Sequence, residues 1–288
     1  MFKARDSLPL AGFFRLVLLL AFGLATLLFG LGTTQVAQAA TTPVGCTNTP
    51  ADITALVAAI NTTNSTPGTI DLTAGCTYTL TTLNNSTGGQ GGNGLPAITG
   101  TVTINGNGAT ITRSSATQFR IFYVDTTGTL VINNLTISGG DSPANGGGIL
   151  NNGGSVTLAN STLSGNSAYN GGGIINDGFS ISIYSGNVTL TNSTISSNTA
   201  TNAGGGILNN GASLTLTNSN ISGNTAMSSN SNFGGGGIYN SNGSVTLTNS
   251  TLSSNSAANG GGGGIYTSVD VTLTNSTLSS NSAANGGG

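Results

Sequence analysis

Residues that carry catalytic chemistry are few in this 288-residue chain. It has no histidine, two cysteines, five basic residues and seven acidic residues. Lyases and glycoside hydrolases need clustered carboxylates for calcium binding or acid–base work, usually with a basic side chain beside them. Beyond residue 39, the carboxylates here are isolated in sequence: Asp52, Asp71, Asp125, Asp141, Asp177 and Asp270. We therefore predict no catalytic residue, no metal site and no cofactor, although stacking of the chain could bring two carboxylates together.

One local group of charges is formed by Arg113, Arg120, Asp125 and Asp141. We interpret it as a solvated surface group rather than an active site. The absence of histidine excludes a serine–histidine triad, and two cysteines are too few for a zinc site. With six aspartates and two arginines beyond residue 39, the chain also lacks the basic surface that nucleic acids or anionic lipids require.

A repeated segment organises the rest of the chain. Its clearest copy is VTLTNSTLSSN at residues 245–255, with aliphatic residues at the first, third and eighth places and asparagine at the fifth. The copies begin at Leu130, Val156, Val188, Leu214, Val245 and Val271. They are 26 to 32 residues apart, which is typical of a solenoid.

The repeat predicts strands only. Aliphatic residues alternate with threonine and serine, and Asn-Ser between the third and eighth places indicates a bend. A Gly-Gly-Gly-Ile segment before each later copy supplies a further aliphatic column: Ile149, Ile174, Ile207, Ile238 and Ile265. Three short strands per unit predict an all-β parallel β-helix of roughly seven to eight coils.

The fifth-place asparagines are predicted to stack as an amide ladder or to occupy turns. They are Asn134, Asn160, Asn192, Asn218, Asn249 and Asn275. Several lie in Asn-x-Ser/Thr sequences, but their place in a structural column favours a structural role over glycan attachment. The five later copies also keep asparagine at the eleventh place.

The first 39 residues are predicted to be a secretory signal. Three basic residues, Lys3, Arg5 and Arg15, precede an apolar run at 16–31, and Ala-Gln-Ala follows at 37–39. These features are typical of a cleaved export signal, the alternative being a membrane anchor. We therefore expect a secreted or cell-surface protein whose mature chain does not span a membrane.

Residues 40–80 are predicted to cap the solenoid with one short helix. Thr49, Pro50 and Asp52 form a helix-start signal, and apolar residues then recur at helical spacing to about Asn61. Cys46 and Cys76 flank the helix, and an even cysteine count in an exported chain suggests a disulfide, with two free thiols as the alternative. Residues 81–288 are then the solenoid.

From Cys46 through GCTYTL, VTINGNGATIT and FRIF to GGGI and NSTLSSN, the chain resembles a family of exported bacterial proteins. These are the right-handed β-helix proteins of the pectate-lyase-like superfamily, in particular those with repeats of the polymorphic outer membrane protein type. The resemblance implies a right-handed helix. It says little about function, because the superfamily contains lyases, hydrolases and adhesins.

The last residues stop one place short of the next isoleucine column. We expect the chain to be a fragment of a longer surface protein. The alternative is end-to-end self-association through an open strand edge.

Two insertions, at 176–186 and 226–233, interrupt the repeats and are rich in aromatic residues. The sequence therefore predicts an adhesive or surface-display scaffold that contacts glycans or surface proteins. The predicted contact residues are Asp177, Phe179, Tyr184 and Phe233 in these insertions and Tyr239 in the neighbouring strand. The aromatic side chains could instead pack on the coil below.

Two other functions stay open. Fold analogy suggests a carbohydrate-active enzyme, such as a polysaccharide lyase or hydrolase. The Thr-Leu-Thr segments that begin at Thr189, Thr215, Thr246 and Thr272 would stack as an ice-binding threonine array, although threonine is also a common surface residue of strands.

Overall fold

The computed structural model describes residues 40–87, 89–178, 186–228, 230 and 233–288. The predicted signal segment, residues 1–39, lies outside the described residues. The rest form one compact unit, a parallel β-solenoid of about eight turns. The predicted all-β parallel β-helix is thereby confirmed.

The N-terminal part of this unit contains the one helix found among the described residues. Its elements are β1 (Ala40–Val44), α1 (Pro50–Ser65), β2 (Gly68–Leu72), β3 (Thr77–Leu80), β4 (Asn85–Thr87) and β5 (Gly91–Asn93). β4 and β5 form an antiparallel hairpin. The described part of the chain contains no helix that is long and apolar enough to cross a membrane.

The main sheet runs the length of the solenoid. It contains β6 (Thr101–Arg113), β8 (Thr129–Ser138), β11 (Ser155–Ala159), β12 (Thr162–Ser164), β15 (Asn187–Thr191), β16 (Thr194–Ser196), β19 (Ser213–Thr217), β20 (Asn220–Ser222), β23 (Ser244–Thr248), β24 (Thr251–Ser253), β27 (Val271–Thr274) and β28 (Thr277–Ser279), and β1 to β3 join it at its N-terminal end. The strands from β8 onward correspond to the repeated segment.

Two further sheets complete each coil. The isoleucine sheet contains β7 (Phe122–Val124), β10 (Ile149–Asn152), β14 (Ile174–Asp177), β18 (Ile207–Asn210), β22 (Ile238–Ser241) and β26 (Ile265–Thr267). The alanine sheet contains β9 (Asp141–Asn145), β13 (Ser167–Asn170), β17 (Thr199–Ala203), β21 (Thr225–Ala226), β25 (Ser256–Ala257) and β29 (Ser282–Ala283).

A regular coil therefore has four strands, not the three predicted. The strand that the sequence did not reveal belongs to the alanine sheet. Its inward residue is a small alanine, such as Ala168 or Ala200, which is buried. A single alanine between polar residues does not stand out as an apolar column. The alternation of apolar and polar residues that indicates a strand is therefore too short to detect here.

The aliphatic columns form the core, as predicted. Equivalent residues of neighbouring coils pair in parallel register: Val188 pairs with Leu214, and Leu214 pairs with Val245. In one coil Leu214, Leu216 and Ile221 are at most 1% exposed. With the isoleucine of the same coil, four such side chains contribute about 6–12 kcal/mol before chain entropy is subtracted.

The fifth-place asparagines do not form the predicted continuous ladder. All six have φ between 48° and 51° and are exposed, so they lie in the left-handed turn that separates the two strand segments of each repeat. Among these described residues, one pair bonds through its side chains, Asn192 Nδ2 donating to Asn160 Oδ1 at 3.3 Å. Asparagine tolerates this conformation better than most residues.

Continuous amide ladders occur at two other places. One consists of the eleventh-place residues Asn166, Asn198, Asn224, Asn255 and Asn281, joined from Nδ2 to Oδ1 at 2.9–3.0 Å. The other follows the isoleucine column and contains Asn151, Asn176, Asn209 and Asn240, joined at 2.8 Å. Apart from Asn281 at the last coil, the ladder asparagines are buried, so these hydrogen bonds satisfy polar groups inside the solenoid.

The helix covers the N-terminal end of the core. Asp52 accepts hydrogen bonds from the backbone N–H groups of Thr47 at 2.8 Å and Thr49 at 3.2 Å, which fixes the start of α1. Leu56 and Ile60 are fully buried in the core cluster. A disulfide joins Cys46 to Cys76 and so links the segment before the helix to the strand region that it covers.

Candidate functional site

A second apolar cluster lies on the outer face of the isoleucine sheet. Because side chains alternate along a strand, the residue after each inward isoleucine points outward. Parallel register stacks these outward residues along the solenoid as Tyr123, Leu150, Ile175, Leu208, Tyr239 and Tyr266. The first four and Ala203 form a cluster separate from the core, with Phe233 and Tyr239 packed against it. The solenoid thus has an apolar strip on its outside.

Polar residues border this strip and make it a cleft of about 270 Å³. Ile175, Ala203 and Leu208 line its apolar part, and Phe233 and Tyr239 are its aromatic residues. The polar lining consists of Asn145, Asn170 and Asn202 before the isoleucine strands and Asp177, Asn210 and Ser241 at their ends.

The polar side chains are held in place by bonds between coils. Asn202 Nδ2 donates to Asn170 Oδ1 at 2.9 Å, and Asn170 Nδ2 donates to Asn145 Oδ1 at 3.1 Å. On the other side, Asn210 Nδ2 donates to Asp177 Oδ1 at 3.0 Å. An amide has two N–H groups, and each of these described bonds uses one. The cleft therefore presents ordered amides to a ligand at low entropic cost.

The aromatic residues form a short stack. The rings of Tyr239 and Tyr266 are parallel within 7° with centroids 5.2 Å apart, and Phe233 lies 6.2 Å from Tyr239. The pKa of Tyr239 is raised above its ordinary value, mainly by burial of its phenol and secondarily by the electrostatic effect of the nearby Tyr266. Its phenol therefore stays neutral at physiological pH and can donate and accept hydrogen bonds.

Three of the five predicted contact residues line this one cleft. They are Asp177, Phe233 and Tyr239. Phe179 and Tyr184, the other two, lie outside the described residues. Sequence reasoning did not find the asparagines that border the cleft. Asn170 stands directly before a Gly-Gly-Gly-Ile segment and Asn145 stands in the same place one coil earlier, so this column was visible in the sequence.

The local charge group has two different environments. Arg113 pairs with Asp141 at 2.9 Å, and the two side chains are 10% and 30% exposed. Arg120, in contrast, is fully buried, so the prediction of a solvated surface group is wrong for this residue. The chain at this point folds between the hairpin and the first regular coil, and stacking encloses the guanidinium.

Arg120 bonds to neutral acceptors. It donates to Asn93 Oδ1 at 2.6 Å, to the carbonyl of Asn145 at 3.1 Å and to the carbonyl of Gln90. Desolvation lowers its pKa to about 10, so it remains charged at neutral pH. These bonds join the hairpin to the coil and hold the backbone of Asn145, one of the residues that border the cleft.

Charge at the cleft is sparse. Of the described lining residues, Asp177 is the one that carries an acidic side chain, and none is lysine or arginine. Within the described part of the chain, no three histidine, cysteine or acidic residues lie close enough together to hold a metal ion. The arrangement offers stacking surfaces, ordered amides and one carboxylate.

No family model matches the chain, and no curated protein matches it significantly.

Proposed function

We propose that this protein is a secreted or cell-surface scaffold that binds a neutral glycan in the cleft beside Tyr239. The observation that carries the proposal is the convergence of Phe233, Tyr239, Asp177 and the bordering asparagines on one apolar strip. Export is supported by the signal-like start of the sequence. It is also supported by the resemblance to exported β-helix proteins of the pectate-lyase-like superfamily with polymorphic outer membrane protein-type repeats.

A sugar ring matches the chemistry of this cleft. Its C–H face packs on an aromatic ring, and its hydroxyl groups both donate and accept hydrogen bonds, as an asparagine amide does. The half-buried rings of Phe233 and Tyr239 supply the first kind of contact. The amides of Asn170, Asn202 and Asn210 supply the second.

Electrostatics favours a neutral glycan over a polyuronide. The lining contains the carboxylate of Asp177 and, among its described residues, no lysine or arginine. A uronate would therefore meet a like charge without a compensating cation. Binding of the acidic substrates typical of pectate lyases is correspondingly disfavoured.

Binding is proposed rather than cleavage. Hydrolysis of a glycosidic bond commonly uses two carboxyl groups that flank the bond, and the described lining of the cleft has one. A carbohydrate-active enzyme remains the alternative by fold analogy. Product formation during incubation with the bound polysaccharide would decide in its favour.

The test is affinity electrophoresis in gels that contain xylan, mannan or hydroxyethyl cellulose, with polygalacturonate as the acidic comparison. We expect a neutral polysaccharide to retard the protein. Tyr239→Ala should weaken binding by at least about tenfold, because truncation of a central aromatic anchor commonly costs ~2 kcal/mol or more.

Tyr169→Ala is the matched control, since Tyr169 is 51% exposed and does not line the cleft. Its retardation should equal that of the unaltered protein. Stronger retardation by polygalacturonate than by every neutral polymer, or equal binding by the two variants, would contradict the proposal.

A further inference from the structure

The outer face of the main sheet carries a regular array of hydroxyl groups. Its side chains come from the second, fourth, seventh and ninth places of the repeat, because these alternate with the inward aliphatic columns. In the last four coils every such residue except Asn220 is threonine or serine. They are Thr189, Thr191, Thr194, Ser196, Thr215, Thr217, Ser222, Thr246, Thr248, Thr251, Ser253, Thr272, Thr274, Thr277 and Ser279. We call this set the hydroxyl face.

The register of the strands makes the hydroxyl face a two-dimensional lattice. Thr189 pairs with Thr215, Thr246 and Thr272 in successive coils, and the other columns pair in the same way. Neighbouring coils are ~4.8 Å apart, and outward residues along a strand are ~7 Å apart. Threonine has few χ1 rotamers, so its hydroxyl and methyl groups repeat in nearly fixed positions.

These hydroxyl groups are available to the outside. Every residue of the hydroxyl face is half-buried or exposed. Within it the described side-chain hydrogen bonding is limited to Ser222, whose Oγ accepts from Asn220 Nδ2 at 3.2 Å. The hydroxyl face also contains no charged and no aromatic residue. The hydroxyl groups of this face are therefore available for hydrogen bonds to solvent or to a partner.

We propose that the hydroxyl face binds ice. A partner that uses this lattice fully must be uncharged, must form hydrogen bonds and must repeat in two directions on its own surface, and an ice crystal meets all three conditions. The absence of charged groups excludes an ionic partner, and the absence of aromatic rings disfavours stacked sugars. In this proposal the threonine methyl groups restrict the motion of the water molecules between them, and the hydroxyl groups hydrogen-bond to that water and so connect it to the ice crystal.

Asn220 is the one interruption in the lattice. Its Oδ1 is buried without a hydrogen-bond partner among the described residues. Its Nδ2 donates a hydrogen bond to the hydroxyl group of Ser222. Replacing Asn220 by threonine would complete the seventh-place column and release Ser222. This variant should strengthen ice binding.

The experiment measures thermal hysteresis and the partition of the purified protein into a slowly growing ice hemisphere. We expect both activities in the unaltered chain, their loss in Thr246→Tyr and larger values in Asn220→Thr. Thr225→Tyr is the matched control, because Thr225 is half-buried on the alanine sheet and lies off the hydroxyl face. It should keep full activity.

Melting curves of the two tyrosine variants must agree, which separates loss of ice binding from loss of folding. Tyr239→Ala should retain full hysteresis, so the result is independent of the proposed glycan cleft. Absence of hysteresis and ice partition in the unaltered protein would overturn the proposal. Equal activity of Thr246→Tyr and Thr225→Tyr, or retention on crystalline cellulose without ice partition, would overturn it as well.

Discussion

Two asparagines of one coil, Asn218 and Asn224, have the same side chain and opposite roles. Asn218 is exposed and its φ is 51°, so it is used for its backbone conformation. Asn224 is fully buried. It donates to Asn255 Oδ1 at 3.0 Å and to the carbonyl of Ile195 at 2.9 Å, and it accepts from the N–H and Nδ2 groups of Asn198. Burial decides which property of the residue matters.

The largest expected effect comes from Asn224→Ala. The substitution leaves Asn198 and the carbonyl of Ile195 without their partners in the interior, and each buried unsatisfied group costs about 1–3 kcal/mol. We expect the free energy of unfolding to fall by about 3 kcal/mol or more, measured by denaturant titration. A loss no larger than that of Asn218→Ala would show that the two columns are energetically alike.

An intermediate effect is expected from Ser219→Ala, between the two asparagines. Ser219 is 3% exposed. Its Oγ accepts from the backbone N–H of Ser193 at 3.2 Å and donates to the carbonyl of Thr217 at 2.9 Å. Loss of this group should cost about 1–2 kcal/mol. Ser222→Ala, on the surface of the same coil, should change stability by less than about 0.5 kcal/mol and is the control.

At Asn218 the expected effects are smaller than at Asn224 or Ser219. Asn218→Ala should destabilise by about 1 kcal/mol, because alanine tolerates positive φ less well than asparagine does. Asn218→Gly should stay within about 0.5 kcal/mol of the unaltered protein, since glycine adopts this conformation freely. If alanine were tolerated as well as glycine, the left-handed turn would not be the reason for this asparagine column.

Much of the fold could be predicted from residues that repeat. Leu214, Leu216 and Ile221 alternate with polar residues, and their equivalents recur in every coil, so both the strands and their stacking follow from the pattern. The alanine sheet could not be predicted, because Ala226 and its equivalents are too small to mark a strand. The role of each asparagine column could not be predicted either, since the alternation of apolar and polar residues does not show whether an amide lies in the interior or in a turn.

The cleft was predicted only in part. The aromatic residues pointed to Phe233 in one insertion and to Tyr239 in the neighbouring strand, and Asp177 lies in the other insertion. The bordering residues Asn170 and Asn202 were missed, because they become neighbours of Tyr239 only when coils of unequal length stack in register.

The sequence by itself determined the parallel β-solenoid, its aliphatic core and the residues that begin the helix. These depend on periodicity and local conformational preference, which are properties of a continuous stretch of chain. Tertiary structure alone decided which asparagines are buried, how Arg120 is enclosed, and how Asp177 and Tyr239 come to line one cleft. These depend on which residues of different coils lie side by side, and hence on loop lengths and register that no single repeat contains.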